Sequence, residues 1–265
     1  MNFYDNEEKI IDTFRDIPKS EVYFATQTAM CFKIFNSIYK SKHKDKWINN
    51  SGKSDPPPDF YSEEFGLMME VMRVDDHAHY NDKGVLINPI NIRESILQKE
   101  IRDKIKSGNP DIDLSTIDIV INAASGLSSN EDHNYRYYYD SFKRVLEKHI
   151  GGISLYRKNH PNKKLVFFVF DESTGYVVVD NKDLVERGPV ALEWFKANPL
   201  WHFCDERFIS VFKDADIDYL IWFTPYKMFH GAPIQPPKVC VFDVKKLKKH
   251  KTKQYPIDYI ISSEA

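Results

Sequence analysis

The sequence predicts an α/β (or α+β) protein, a mixed β-sheet flanked by helices. Three observations predict it. Apolar, strand-like runs alternate along the chain with segments whose apolar residues recur at helical spacing, the pattern of a sheet covered by helices. Leu165-Val166-Phe167-Phe168-Val169-Phe170 contains no polar residue and reads as a strand buried on both faces. A chain of 265 residues that is 42% hydrophobic and 14% aromatic can bury a large core, so residues 1–265 are expected to form a single domain.

After a short charged N-terminal segment, Val22, Ala25, Ala29, Phe32, Phe35 and Ile38 share a helical face and Ser20 stands where it can cap it, predicting a helix over 21–41. Asp55-Pro56-Pro57-Pro58 then forces an extended approach, because each proline fixes φ and disfavours helix in the residue before it. Asp59-Phe60-Tyr61, a polar turn at Ser62-Glu63-Glu64 and the run from Phe65 to Val74 predict two strands joined by a tight turn. Ile92, Ile96, Ile101 and Ile105 predict a second helix stopped by Gly108 and Pro110, and Ile117 to Ile121 a short strand. Tyr135, Tyr138, Tyr139, Phe142, Val145 and Leu146 mark a third helix ended by Gly151-Gly152. The strand at 165–170 is expected to turn at Asp171-Glu172-Ser173-Thr174-Gly175 and return as Tyr176 to Val179 in a hairpin. Short helices follow Pro189, then strands at Tyr219 to Phe223 and Val239 to Phe242. The basic run from Lys245 to Lys251 reads as a solvated loop or helix end.

Composition excludes several function classes. Lys and Arg (37) nearly cancel Asp and Glu (39), so a net charge of -2 supplies no global attraction to nucleic acid or anionic membrane, and any such contact must use a local patch. Cys31, Cys204 and Cys240 form no CxxC pair, which argues for a reducing compartment. There is no basic-then-apolar leader and no run near the roughly 18 apolar residues a membrane span needs, so a cytoplasmic location without a membrane partner is expected. With 10 glycines and neither a Gly-rich phosphate loop nor a Gly-x-Ser-x-Gly elbow, a nucleotide cradle is not expected.

Asp59 enters one predicted strand, and Glu70-Val71-Met72 follows on its partner after 10 intervening residues. Two carboxylates brought together on a strand pair can hold a hard divalent cation, which polarises a phosphodiester and acidifies an attacking water. The segment resembles the core of PD-(D/E)XK nucleases, an Asp entering one strand and an acid-x-Lys on the next. The resemblance implies a restriction-endonuclease-like core over 20–180 carrying an extension at 181–265. It also implies Mg²⁺ or Mn²⁺ on Asp59 and Glu70, and DNA or RNA as substrate. Met72 stands where that family has lysine, and Arg73 points to the opposite strand face. Within the resemblance the missing polar group falls to Gln98 or Lys99 of the following helix, and Glu21 to an accessory acid. The alternative is a catalytically inactive chain of the same fold that binds or assembles with a protein partner.

Two further clusters follow predicted strands. Asp75-Asp76-His77-Ala78-His79 resembles the Asp-x-His-x-His motif of amidohydrolase-type metal enzymes, which implies a divalent ion on His77 and His79 and gives a third reading, a metal hydrolase; a polar surface loop is the plainer one. Asp171-Glu172, with Asp180 and Asp183, lies at strand ends where α/β proteins place sites, yet is also ordinary turn chemistry. Tyrosines around Arg136 are suited to stack on bases or, more simply, to pack a core.

Overall fold

α1 (Glu7–Arg15) buries Ile10, Ile11 and Phe14 along one stripe, with acids in its first turn and Arg15 in its last, the charge order its dipole favours. The charged N-terminal segment of the sequence is thus a helix, because its three apolar residues fall on one face. The computed structural model describes residues 7–51, 58–113, 133–187, 197–229 and 234–263, so the strand expected at 117–121 lies outside the described residues.

The helix expected over 21–41 is two elements. Val22–Phe24 forms a short strand, β1, and the helix α2 runs Ala29–Tyr39. Between them Gln27 takes φ 46°, a left-handed conformation that no helix continues. Thr28, not Ser20, is the cap: its side chain accepts from the Cys31 N–H at 3.2 Å.

The strand pair is as the sequence predicts. β2 (Ile48–Asn49), β3 (Phe60–Ser62) and β4 (Leu67–Val74) are antiparallel neighbours, and Gly66 at φ 62° closes the turn between β3 and β4. A two-stranded ribbon, β5 (His79–Tyr80) with β6 (Leu86–Ile87), leads into α3 (Pro89–Gly108), which has no buried residue. Next come α4 (Tyr135–Gly151) and α5 (Ile153–Asn159).

β7 (Lys164–Asp171) then lies parallel to β4, with Glu70 opposite Phe167 and Val74 opposite Asp171. β8 (Tyr176–Val179) does not return along β7. It pairs in a separate three-stranded sheet with β9 (Ala197–Pro199) and β12 (Ile260–Ser262). The turn chemistry is real but serves a change of sheet. Asp171 Oδ1 accepts the Ser173 N–H and hydroxyl, and a Cβ on Gly175 would stand 2.3 Å from the Met228 carbonyl, so the chain is pinned against 227–229 as it leaves. α6 (Lys182–Arg187) follows β8, and α7 (Glu206–Phe212) leads to β10 (Tyr219–Phe223) and β11 (Val239–Asp243).

The main sheet has the order β1-β11-β10-β7-β4-β3-β2 and mixes parallel and antiparallel pairs. β10 is parallel to β7 and antiparallel to β11, and β11 is parallel to β1. The central strands are buried on both faces. On one, α1 and α2 pack Phe14, Ile34 and Phe35 against Met69, Val71, Phe168 and Ile221. On the other, α4, α5 and α7 pack Phe142, Leu146, Tyr156 and Phe208 against Met68, Met72, Phe167 and Trp222. The result is an α/β/α arrangement, and among the described residues no helix is long and apolar enough to cross a membrane.

Candidate functional site

β4 alternates between the two cores. Leu67, Met69 and Val71 face α1 and α2, while Met68, Met72 and Val74 face α4, which places Glu70 on the α4 side. Phe60 faces α1 and α2, so Asp59 before it shares a face with Glu70. The two acids are interlocked: the Asp59 N–H donates to Glu70 Oε2 at 3.3 Å, and the Val71 N–H donates to Asp59 Oδ2 at 2.8 Å. Among the described residues no donor hydrogen-bonds Asp59 Oδ1.

Glu70 is 4% exposed, and three donors meet it. Tyr156 of α5 donates its hydroxyl to Oε1 at 3.1 Å, and His149 of α4 brings Nδ1 within 2.9 Å of the same oxygen. Burial, and then the Glu70 charge, push the Asp59 carboxyl up to about 7, with Glu7 at the start of α1 adding to the rise. Asp59 and Glu70 therefore share a site that favours a proton or a cation.

Around this pair the other predicted residues fall unevenly. Met72 is buried at 3% beside Glu70, so the position expected to hold a lysine is apolar. Arg73 faces the other way and forks onto Glu172 at 2.7–2.9 Å. Lys99 is exposed and Gln98 half-buried on α3, whereas the helix packed over Glu70 is α4. Glu21 lies beside β1, at the sheet edge opposite β2 and β3. His149 and Tyr156 were missed. His149 continues the inward stripe Tyr135, Tyr138, Phe142 and Leu146 at helical spacing, so a histidine on the apolar face was the available signal.

A second cluster stands past the carboxyl ends of β4 and β7. Asp76 is fully buried; its Oδ2 accepts the Thr174 N–H at 3.0 Å and the Tyr176 hydroxyl at 2.7 Å. His133 Nδ1 lies 3.2 Å and His77 Nε2 3.5 Å from Asp76 Oδ1. Burial raises the Asp76 carboxyl, but His133, His77 and Tyr176 outweigh it and hold the group below its ordinary value. His79 is not part of this cluster: its Nδ1 meets the His77 carbonyl and its ring stacks on Tyr137 with centroids 4.3 Å apart. Asp75 is spent on local turns, accepting the N–H groups of His77 and Ala78 and the Asn88 side chain. Glu70 and Val74 alone are about 13 Å apart along β4 at ~3.3 Å per residue, so the two clusters do not share a cleft.

The third cluster is dispersed. Asp171 is buried and accepts Tyr138 Oη at 2.6 Å and Trp222 Nε1 at 2.7 Å, with Lys227 Nζ at 3.5 Å. Lys227 also meets the Ser173 hydroxyl and sits 4.1 Å from the Tyr138 ring centre. Asp180 and Asp183 are exposed. Tyr135 and Tyr138 are core residues with no face for a base. The three cysteines are free, Cys31 and Cys240 buried and Cys204 half-buried. Compared with known proteins, the chain matches no family, no curated protein and no solved structure.

Proposed function

We propose that the chain is a PD-(D/E)XK-like protein whose Asp59–Glu70 pair binds Mg²⁺ or Mn²⁺ and hydrolyses phosphodiesters in DNA or RNA. The observation that carries the reading is the interlocked acid pair on one face of antiparallel β3 and β4. The surrounding order supports it: a helix, three antiparallel strands, a helix packed over the acids and a strand parallel to β4 follow the restriction-endonuclease-like arrangement. The donors fit a hard cation, being carboxylate oxygens with no hydrogen bond to Asp59 Oδ1 among the described residues, and a buried and a half-buried acid whose mutual repulsion a cation relieves. When bound, the ion supplies Lewis-acid polarisation of a phosphoryl oxygen and a more acidic water. Tyr156 and His149 fix the Glu70 carboxylate, and His149 stands beside the pair as a group able to move a proton.

The apolar Met72 favours a second reading, a chain that keeps the fold and binds nucleic acid or a protein partner without cleaving. Incubating wild type, Asp59→Asn and Glu70→Gln with bis-p-nitrophenyl phosphate and with DNA and RNA, each with and without Mn²⁺, separates the two. Mn²⁺-dependent cleavage that both variants lose supports the nuclease. Mn²⁺ uptake by calorimetry without cleavage leaves the second reading, and absence of Mn²⁺ uptake by wild type removes the nuclease reading.

A further inference from the structure

We infer that Asp76, His77 and His133 form a separate binding site for one divalent transition-metal ion of the zinc class. The donor set is two imidazoles and one carboxylate, the combination that selects a borderline ion over Mg²⁺ or Ca²⁺. Tetrahedral zinc with ligand bonds of about 2.0–2.2 Å holds its donor atoms roughly 3.4 Å apart. Asp76 Oδ1 already stands 3.5 Å from His77 Nε2 and 3.2 Å from His133 Nδ1, and the three donors lie within 4.8 Å of one another.

The outer contacts are those a metal carboxylate needs. The Thr174 N–H and the Tyr176 hydroxyl fix the Asp76 carboxylate through Oδ2, with His133 Nδ1 3.2 Å from both of its oxygens and His77 Nε2 3.5 Å from Oδ1. The two histidine side chains are 14% and 19% exposed, so an ion can enter from solvent and keep a water in its fourth position. An ion on His133 Nδ1 takes the place of that nitrogen's contact with Asp76, and the ring then carries its proton on Nε2.

The ligands come from the exit of β4 and the approach to α4, and Asp76 is itself tied to the segment entering β8. The ion thus joins three stretches distant in sequence, and its occupancy stiffens the carboxyl end of the β4–β7 pair. It is independent of Asp59 and Glu70, and its test distinguishes the two sites.

The full chain, stripped with chelator, is titrated with ZnCl₂ by calorimetry and followed by thermal unfolding, alongside His77→Gln, His133→Gln and Asp59→Asn, with circular dichroism as the check on folding. Co²⁺ substitution reads the coordination through its visible bands. The expected result is one equivalent of Zn²⁺ on wild type and on Asp59→Asn, with a raised unfolding temperature and four-coordinate Co²⁺ bands. In either histidine variant affinity falls by at least about a hundredfold, since loss of outer-shell partners alone costs 10–100-fold. No Zn²⁺ uptake by wild type, or uptake unchanged in both histidine variants, overturns the site and leaves Asp76 as a carboxylate balanced by two histidines. Uptake lost in Asp59→Asn but kept in the histidine variants assigns the metal to the acid pair instead, overturning this inference while sparing the nuclease reading.

Discussion

Asp59 and Glu70 clasp each other across β3 and β4, the Asp59 N–H on Glu70 Oε2 and the Val71 N–H on Asp59 Oδ2. The clasp sets two carboxylates close together, and burial with the Glu70 charge raises Asp59 from 3.8 to about 7. In that window the folded chain holds a proton the unfolded chain has lost, so this group's contribution to stability is full below pH 3.8 and is lost as pH rises through about 7. Asp59→Asn is expected to flatten the fall, whose slope from one proton is at most about 1.4 kcal/mol per pH unit. Denaturant midpoints of wild type and variant across pH 4 to 8 measure the difference. A variant curve parallel to wild type removes the coupling.

His149 and Tyr156 leave Glu70 with donors on a buried oxygen. Tyr156→Phe is expected to cost roughly 1–3 kcal/mol, the range for stripping a hydrogen bond from a buried charged group. His149→Ala is expected to cost a similar amount. Urea unfolding at pH 7 gives both figures, and a cost below about 0.5 kcal/mol for each would show that water replaces them.

Lys227 is 3% exposed and lies against Asp171, Ser173 and the Tyr138 ring. Lys227→Met strands a buried carboxylate and is expected to destabilise by about 3–5 kcal/mol. Adding Asp171→Asn should recover part of that loss, because Tyr138 and Trp222 can still donate to the amide oxygen. A double-mutant cycle on unfolding free energies reads the coupling, and strict additivity would deny it.

His202 is buried against Trp222, ring centres 4.7 Å apart, and among the described residues its Nε2 has no hydrogen-bond partner. Burial, and then the Lys227 charge, hold its pKa well below the ordinary 6.5. Only the unfolded chain takes up this proton near pH 6.5, so stability from this residue is present above that value and falls as pH drops below it. His202→Phe should show a shallower loss between pH 7 and 5 than wild type, read as the difference in thermal unfolding temperature.

Much of the sheet was legible because buried parallel strands announce themselves. Leu165 to Phe170, Tyr219 to Phe223 and Val239 to Phe242 are apolar on both faces, and nothing local competes with that signal. Val22-Tyr23-Phe24 was misread because its apolar residues also fit the helical period of the residues after it, and the partner that makes it a strand is β11, remote in sequence. β8 was assigned to the wrong neighbour for a related reason: the turn at 171–175 is visible in sequence, but its docking against Met228 is tertiary. Asp59 and Glu70 were legible through strand alternation. His149, Tyr156 and His133 were not, because nothing local to them indicates which acid they meet.

The parallel pairing of β1 with β11 has a consequence for assembly in time. Val22 meets Val239 and Phe24 meets Val241, so this sheet edge is completed by residues remote from one another in sequence. During synthesis β1 emerges long before β11 and must remain without that partner until residue 241 has left the ribosome, while its hydrogen-bonding edge stays open to other chains. Contacts of such separation also slow folding, since the loop must close before any contact rewards it. Refolding of the full chain is therefore expected to be slow beside a helical protein of its size, and truncation before β11 should yield a chain that aggregates rather than one that lacks only its last strands.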